Sequence, residues 1–224
     1  MDTPLLRYPK KSHRKIINIP SESFALAEFL GIVLGDGGIN NNWQLIISLN
    51  SILDVDYSIY IVSLIKKLFN IVPATRKRPN QNTLVIVASS TTLVENLIER
   101  GAVRGNKILQ MIDIPSWIKS NMEYKKAFVR GLVDTDGCLF IHKHRIKNVV
   151  YENIGFCFTS FSEHLINSVA NILLEFGIQP HIHKNKQHIY LYSEKAIVRY
   201  LNIFGSSNTR IYQKYASWRD ARVV

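Results

Sequence analysis

The chain has 224 residues, of which 46% are hydrophobic, and it carries a formal net charge of +11. This size fits one large globular domain or two small fused ones. A basic excess this large suggests a polyanionic partner, most simply nucleic acid. Two cysteines are too few for a disulfide framework, and no run reaches the roughly 20 apolar residues that span a bilayer. With no visible signal peptide, we expect an intracellular protein without membrane contact.

The chain begins with a basic leader, residues 1–20, which could be a free tail or an arm lying on phosphate. Ser21 or Ser23 can cap a first helix that runs to about Asp36. The elements expected after it are strands within 39–50 turning at 40–42, a helix at about 54–70, strands at 74–78 and 83–89, and a short helix stopping at Gly101.

The second half repeats this order. A linker through 114–118 leads to a helix that Asn121 can cap. The elements expected next are strands at 139–145 and 154–159, a helix at 163–176, strands at 181–184 and 188–193, and a short helix ending near Gly205. Length differences between the copies fall in hairpin tips, where surface loops tolerate them. We therefore predict an α+β chain of two αββαββα repeats, spanning 21–115 and 116–224.

One stretch occurs in both halves: residues 29–37 read FLGIVLGDG, and residues 129–137 read VRGLVDTDG. Each is an apolar helical segment that ends in Asp-Gly. Aspartate is unusual there, because the C-terminal end of a helix is already partly negative. Gly31 and Gly35 share one helix face, so two such helices could pack closely and bring Asp36 and Asp136 together. Carboxylates beside free helix-end carbonyls predict a site for a hard divalent cation such as Mg²⁺.

The paired stretches resemble the two LAGLIDADG motifs of single-chain homing endonucleases, and the similarity extends from about Ser21 to Trp218. This resemblance implies pseudo-symmetric repeats joined by paired motif helices, with antiparallel sheets forming a DNA-binding saddle. It implies a monomer, encoded in an intron, that makes a double-strand break in a long duplex target. Mg²⁺ would be the cofactor, with Mn²⁺ as a substitute. Leu34 departs from the family motif, which has its first acidic residue there, whereas the second copy keeps Asp134.

The resemblance places catalysis and metal binding at the motif ends. Asp36 and Asp136 would hold the ions, helped by the carbonyls of Gly35 and Thr135. Lys107 is the candidate for a basic residue that stabilises charge developing on phosphate, although an ordinary surface lysine fits its position equally well. The matching segment of the second half, residues 205–210, offers Asn208 or Arg210 instead.

Basic and polar side chains concentrate on the predicted hairpins. If one face of each sheet covers helices, the other is free to enter the major groove and read base edges. The DNA-binding candidates are Asn40, Gln44, Arg76, Lys77, Arg78, Lys143, Arg145, His183, Lys184 and Lys186. For any one of them a wet hairpin tip is the simpler explanation, so the interpretation depends on the whole surface. Histidine pairs at 142/144 and 181/183 leave zinc as a weaker alternative.

Two rival functions stay open. The first is an RNA maturase that helps a group I intron splice, which would make intron RNA a partner. The second is a regulator that binds DNA without cutting it, and the intact Asp36 and Asp136 argue against that function.

Overall fold

The computed structural model describes residues 13–221. The first half contains α1 (Phe24–Leu34), β1 (Gly37–Asn41), β2 (Gln44–Asn50), α2 (Val55–Phe69), β3 (Ala74–Lys77), β4 (Thr83–Ser89) and α3 (Thr91–Glu99). The second half contains α4 (Ser116–Lys119), α5 (Met122–Asp136), β5 (Gly137–Ile146), β6 (Val149–Thr159), α6 (Glu163–Glu175), β7 (His181–Ile182), β8 (His188–Leu191), α7 (Glu194–Ile203) and α8 (Thr209–Asp220). This order confirms the α+β class and the repeated unit. Within the described range, no helix is long and apolar enough to cross a membrane.

Each half forms one four-stranded antiparallel sheet. The strand orders, β1-β2-β4-β3 and β5-β6-β8-β7, are the same in both. Burial alternates along β2, where Leu45, Ile47 and Leu49 are buried and the residues between them are partly exposed. Successive strand residues point to opposite faces, so the first sheet covers helices with one face and leaves the other open.

The motif helices α1 and α5 pack directly on each other. A Cβ built on Gly31 would overlap the carbonyl oxygen of Phe128 and lie 3.0 Å from the amide nitrogen of Leu132. Gly131 meets the backbone of α1 in the same way. The close approach predicted from the small residues is therefore present, and one hydrophobic cluster extends through both halves.

Side-chain caps fix where the motif helices begin. The hydroxyl of Ser23 accepts from the amide of Leu26 at 3.3 Å, which selects Ser23 over Ser21. Asn121 accepts from the amide of Glu123 at 2.9 Å and so caps α5 as predicted.

Several boundaries differ from the sequence-based prediction. The first helix ends at Leu34 rather than Asp36, because Gly35 leaves the helical conformation while its amide still bonds to the carbonyl of Gly31 at 3.0 Å. The first turn lies at 42–43, where the side chain of Asn41 accepts from the amide of Trp43 at 3.0 Å. The β5–β6 hairpin is longer than predicted because pairing continues to its tip, whereas β7 and β8 are shorter.

Helix α8 is missing from the pattern-based prediction, although its signals are present. The side chain of Asn208 accepts from the amide of Arg210 at 3.1 Å and caps the helix. Ile211, Tyr215 and Trp218 then recur at helical spacing, and the first and last of these are buried.

The predicted leader lies mostly outside the described residues, which begin at His13. The part that is described packs on the first half. The His13 ring stacks on Trp43 with centroids 3.9 Å apart, and Arg14 pairs with Glu95 at 2.6 Å. Residues 13–20 are therefore not a free arm.

Candidate active site and nucleic-acid interface

The two motif helices end side by side at aspartates. Asp136 is the last residue of α5, and Asp36 lies two residues beyond the end of α1. The Oδ2 atom of Asp136 lies 3.1 Å from the position that a Cβ on Gly35 would occupy, so this carboxylate reaches the end of the opposite helix. The Thr135 hydroxyl donates back to the carbonyl of Leu132 at 2.8 Å. The predicted role of ligand falls on the main-chain carbonyl of Thr135 and not on this hydroxyl.

Lys107 brings a positive charge to the same point. Its Nζ donates to the carbonyls of Leu34 at 2.8 Å and Gly37 at 2.7 Å, and makes a shorter contact with that of Gly35. These are the helix-end carbonyls that the sequence predicted would attract a cation. A cavity of about 260 Å³ opens beside them, lined by Lys107, Asp136 and Phe161 among others. All five candidate active-site residues therefore lie together.

Burial makes both carboxyls weaker acids than usual, and a neighbouring carboxylate adds to the pKa rise of each. Burial raises the pKa of Asp36 to about 6, and Asp54 adds to the rise, whereas Lys107 and Arg210 oppose it. Burial and the charge of Asp36 raise the pKa of Asp136 to about 7, again against Lys107. Burial lowers the pKa of Lys107, although both aspartates counteract the shift. Carboxylates crowded in this way favour an additional positive charge.

The segment leading into α8 holds the end of α5. Asp134 is buried and accepts hydrogen bonds from the Ser206 hydroxyl at 2.5 Å and the Ser207 amide at 2.7 Å. Asn208 donates to the carbonyl of Asp134 at 3.2 Å and to Asp54 at 2.9 Å. Burial raises the pKa of Asp134 to about 7, although the two serine donors oppose the shift. Asp134 therefore anchors a loop.

Leu34 stands where the second copy has Asp134, and the structure accounts for this departure from the motif. The Leu34 side chain is buried in the core. The corresponding segment of the first half brings Lys107 to the carbonyl of Leu34, so α1 is held by an ammonium group instead of a serine loop. The two ends of the site are thus built differently.

Arg210 is the second cation near the carboxylates. Its guanidinium lies 3.4 Å from Asp54, and its charge lowers the pKa of Asp36. Asn208, the other second-half candidate, is buried, and its hydrogen bonds go to Asp54, Asp134 and the backbone of α8. Of the two, Arg210 is the one whose charge acts on the site.

A buried ion pair that the sequence analysis missed crosses the helix interface. Glu28, 1% exposed, accepts two hydrogen bonds from the guanidinium of Arg130 and a third from the Ser207 hydroxyl at 2.6 Å. The signal was a single glutamate in the otherwise uncharged α1 segment FALAEFLGIVL, opposite an arginine in the second motif. The pair ties α1, α5 and the loop before α8 together.

The helix ends fit a hard cation with an open coordination shell. Within residues 13–221, no three His, Cys, Asp or Glu side chains gather into a metal-binding group. A cation here would therefore take its side-chain ligands from Asp36 and Asp136 alone. Mg²⁺ commonly uses one or two carboxylates and keeps its other positions for water and substrate phosphate, whereas structural zinc sites need four protein ligands.

Strand alternation separates the first-half DNA-binding candidates by face. Asn40 and Gln44 point away from the buried Ile39 and Leu45, onto the open face. Arg76 also points to that face, because its partner is Val85, whereas Lys77 pairs with Leu84 on the helix side. Arg78 lies exposed beyond the strand end. The basic triplet at 76–78 is therefore not a single surface.

The second-half candidates lie on exposed hairpins, and two of them are already paired. Lys143 pairs with Glu152, and Lys186 pairs with Glu163 at 2.6 Å. Exposed pairs of this kind are weak, so phosphate could replace the carboxylates. The other candidates there, Arg145, His183 and Lys184, are exposed.

The open face of the second sheet also carries phenylalanine and tyrosine rings, which are not among the DNA-binding candidates predicted from the sequence. Phe140, Tyr190 and Tyr192 lie there among histidines. The signal was the alternation along β5, where Cys138, Phe140, His142 and His144 share one face.

Two repeated units, joined by close-packed helices that each end at an aspartate, define a LAGLIDADG-type fold. Residues 123–216 match the family model of the LAGLIDADG-like domain. The second half is therefore a LAGLIDADG-like domain, and the resemblance seen in the paired motifs is confirmed. No curated protein matches the sequence.

Solved structures share this fold at low sequence identity. I-DmoI in complex with DNA and Mn is 18% identical with a TM-score of 0.55, covering 82% of this chain and 97% of that one. The I-LtrWI LAGLIDADG homing endonuclease bound to target DNA is 13% identical with a TM-score of 0.59, and the match covers 86% of this chain and 87% of that one. Full-length DUF199/WhiA from Thermatoga maritima is 16% identical with a TM-score of 0.53, and the match covers 90% of this chain and 63% of that one. Since the last is not named as an endonuclease, the fold alone does not decide whether this chain cuts.

Proposed function

We propose that this protein is a site-specific homing endonuclease that makes a metal-dependent double-strand break in a long DNA target. One observation carries the proposal: two partly buried carboxylates lie at adjacent ends of close-packed helices, with Lys107 donating to the carbonyls beside them. A protein that only bound DNA would gain nothing from two crowded carboxylates with raised pKa values. Perturbed groups of this kind are typical of catalytic sites.

Asp36 and Asp136 would hold Mg²⁺, or Mn²⁺ in its place, with the carbonyls of Gly35 and Thr135 completing the protein ligands. I-DmoI structures hold Mn and Ca, which supports a divalent ion. Such an ion would supply an activated water and neutralise charge on the leaving oxygen. The protein contributes by placing both carboxylates at the ends of two helices whose backbones are in close contact at Gly31 and Gly131.

Lys107 and Arg210 would then act on the DNA rather than on the protein. With a cation held at the carboxylates, the Lys107 ammonium, which now contacts the carbonyls of Leu34, Gly35 and Gly37, would be close enough to serve a phosphate oxygen instead. Arg210, held at 3.4 Å by Asp54, lies near the other side of Asp36. Each cation would stabilise the negative charge that develops on a phosphate during cleavage.

The two halves, 21–115 and 116–224, would each cover one half of the target. A single chain with diverged halves suits a target whose layout, but not its sequence, is nearly palindromic. The family resemblance implies one cut per strand across the minor groove, leaving short 3′ overhangs, and an intron as the coding location.

A regulator that does not cut is the second candidate, favoured by the structural match to WhiA. An RNA maturase is the third, and would bind intron RNA. Under either alternative, Lys107 would stay on the helix-end carbonyls, and Asp36 and Asp136 would have no chemical role.

Selection of a target followed by addition of metal separates these functions. The chain is first allowed to capture duplexes from a randomised library in Ca²⁺, whose looser coordination should permit binding without cleavage. Transfer of the selected duplex to Mg²⁺ should then produce a staggered break in both strands. Tight binding without any break would favour the regulator, and selection of structured RNA over every duplex would favour the maturase.

A further inference from the structure

The open face of the second sheet carries a row of packed rings, which we call the ring ladder: His183, His188, Tyr190 and Tyr192, flanked by His181 and Phe140. Centroids lie 6.0 Å apart between His188 and Tyr190, and 5.4 Å apart between Tyr190 and Tyr192. Phe140 meets Tyr190 edge-on at 6.1 Å, and His181 lies 5.7 Å from Tyr192. The rings therefore form one continuous surface.

The two sheets differ sharply in this respect. Strands β1–β4 contain no aromatic residue or histidine, and their open face offers amide and guanidinium groups from Asn40, Gln44 and Arg76. Beside the ring ladder, the open face of β5 and β6 carries Cys138, His142 and His144 and the bare backbone of Gly155. The second sheet thus presents aromatic and imidazole rings where the first presents amide and guanidinium groups.

The packing of the rings determines what they can contact. An unpaired base binds by stacking on the face of an aromatic ring. In the ring ladder, Tyr190 and Tyr192 each cover one face of the other, with planes only 12° apart. The Phe140 ring extends over Gly155, where an added Cβ would overlap it. Ring edges remain available, and edges suit contact with the floor of a duplex groove rather than with splayed bases.

Hydrogen bonding by the ring ladder is limited to single bonds. The Nδ1 atom of His188 lies 2.9 Å from the Thr159 hydroxyl, and that of His183 lies 2.8 Å from the side-chain oxygen of Asn185. Each of these imidazoles keeps only Nε2 for another partner. Bidentate pairing with guanine or adenine needs an Arg, Lys, Asn or Gln, whereas thymine alone presents an apolar methyl group in the major groove.

We propose, on the basis of the proposed function, that the ring ladder reads thymine methyl groups in the half-site bound by the second half of the chain. Apolar ring edges of Phe140, Tyr190 and Tyr192 contact the methyls, and single bonds from the tyrosine hydroxyls and histidine Nε2 atoms fix the register. The first half reads its half-site through amide and guanidinium groups.

Replacement of thymine by uracil tests this, because it removes only the C5 methyl. A duplex selected by the wild-type chain in Ca²⁺ is prepared with uracil in one half-site or the other. Each methyl in contact should contribute about fourfold to Kd. In one half-site, this uracil penalty should shrink in Tyr192→Ala and in Phe140→Ala, because each variant loses the methyl contacts of one ring. Tyr192 is 59% exposed, so its truncation leaves the core intact.

The control is Arg76→Ala on the first sheet, which should weaken binding while leaving both uracil penalties unchanged. Penalties of wild-type size in both ring variants, or the absence of any penalty from both half-sites of the wild-type complex, would overturn the inference. Tighter binding to a single strand than to the duplex would also overturn it, because the rings would then be stacking on bases. Failure to select any duplex would overturn the proposed function, and this inference with it, before any uracil is introduced.

Discussion

Replacement of Gly31 by alanine tests the helix interface on which the site is built. The new Cβ would overlap the carbonyl oxygen of Phe128 and lie 3.0 Å from the amide of Leu132. These are backbone atoms of the other helix, so no side-chain rotation can relieve the overlap. Overpacking typically costs about 1–3 kcal/mol, whereas alanine in place of glycine in a helix gains about 0.5–1 kcal/mol. Because the overlap is with backbone, the upper part of the packing range applies, and the helix gain then leaves a net loss of about 1–2 kcal/mol.

For a chain of this size, each kcal/mol corresponds to about 2–4 °C in melting temperature, so Gly31→Ala should melt about 2–8 °C lower. Gly38→Ala is the matched control, because a Cβ there meets nothing within 4 Å and should be neutral or slightly stabilising. Adding Gly131→Ala to Gly31→Ala should cost less than the sum of the two, since the helices have already separated. Equal melting temperatures for Gly31→Ala and Gly38→Ala would refute the close-packing argument.

Three further predictions concern charge. In the Arg76→Ala, Arg78→Ala double variant, the log–log slope of duplex affinity against salt should become shallower by about 1.8, because each lost phosphate contact contributes about 0.9. An unchanged slope would mean that these arginines do not contact the duplex. Folding raises the pKa of Asp36 from 3.8 to about 6 and that of Asp136 from 3.8 to about 7. Without metal, in EDTA, the stability that these two groups contribute is therefore lost as the pH rises from about 4 through 7. The fall in melting temperature between pH 5 and 8 should be smaller in Asp136→Asn than in wild type. Glu28→Ala should lower the free energy of unfolding, measured by denaturant titration, by about 3–5 kcal/mol because Arg130 loses its buried partner. Adding Arg130→Met to Glu28→Ala should recover part of that loss, because no unpaired charge is then left at the helix interface.

Sequence pattern predicted the elements well where local chemistry determines them. The Asn121 cap, the extent of α2 and the β4 strand all follow from short-range signals. The Gly31 spacing also predicted the helix interface, because only a close backbone approach requires small residues at that period.

The features that sequence analysis missed depend on distant parts of the chain. Glu28 and Arg130 are 102 positions apart, so no local pattern reveals that they pair. The bonds between Asp134 and the loop at 206–208 likewise appear only when the chain folds back on the motif helix. Lys107 was chosen by analogy, and its place on the α1 carbonyls depends on a loop path without periodicity. Alternation along β3, by contrast, could have separated Arg76 from Lys77.

The assignment of Asp36 and Asp136 as the catalytic pair is tested most directly by cleavage of the selected duplex in Mg²⁺. Wild type, Asp36→Asn and Asp136→Asn are compared, with Kd for the same duplex measured in Ca²⁺. Each substitution keeps the size of the side chain but removes one metal-binding charge, while the open sheet faces are untouched. We expect both variants to bind the duplex nearly as tightly as wild type and to cut neither strand. Full cleavage by either variant would contradict the central claim that these two helix-end carboxylates carry the reaction.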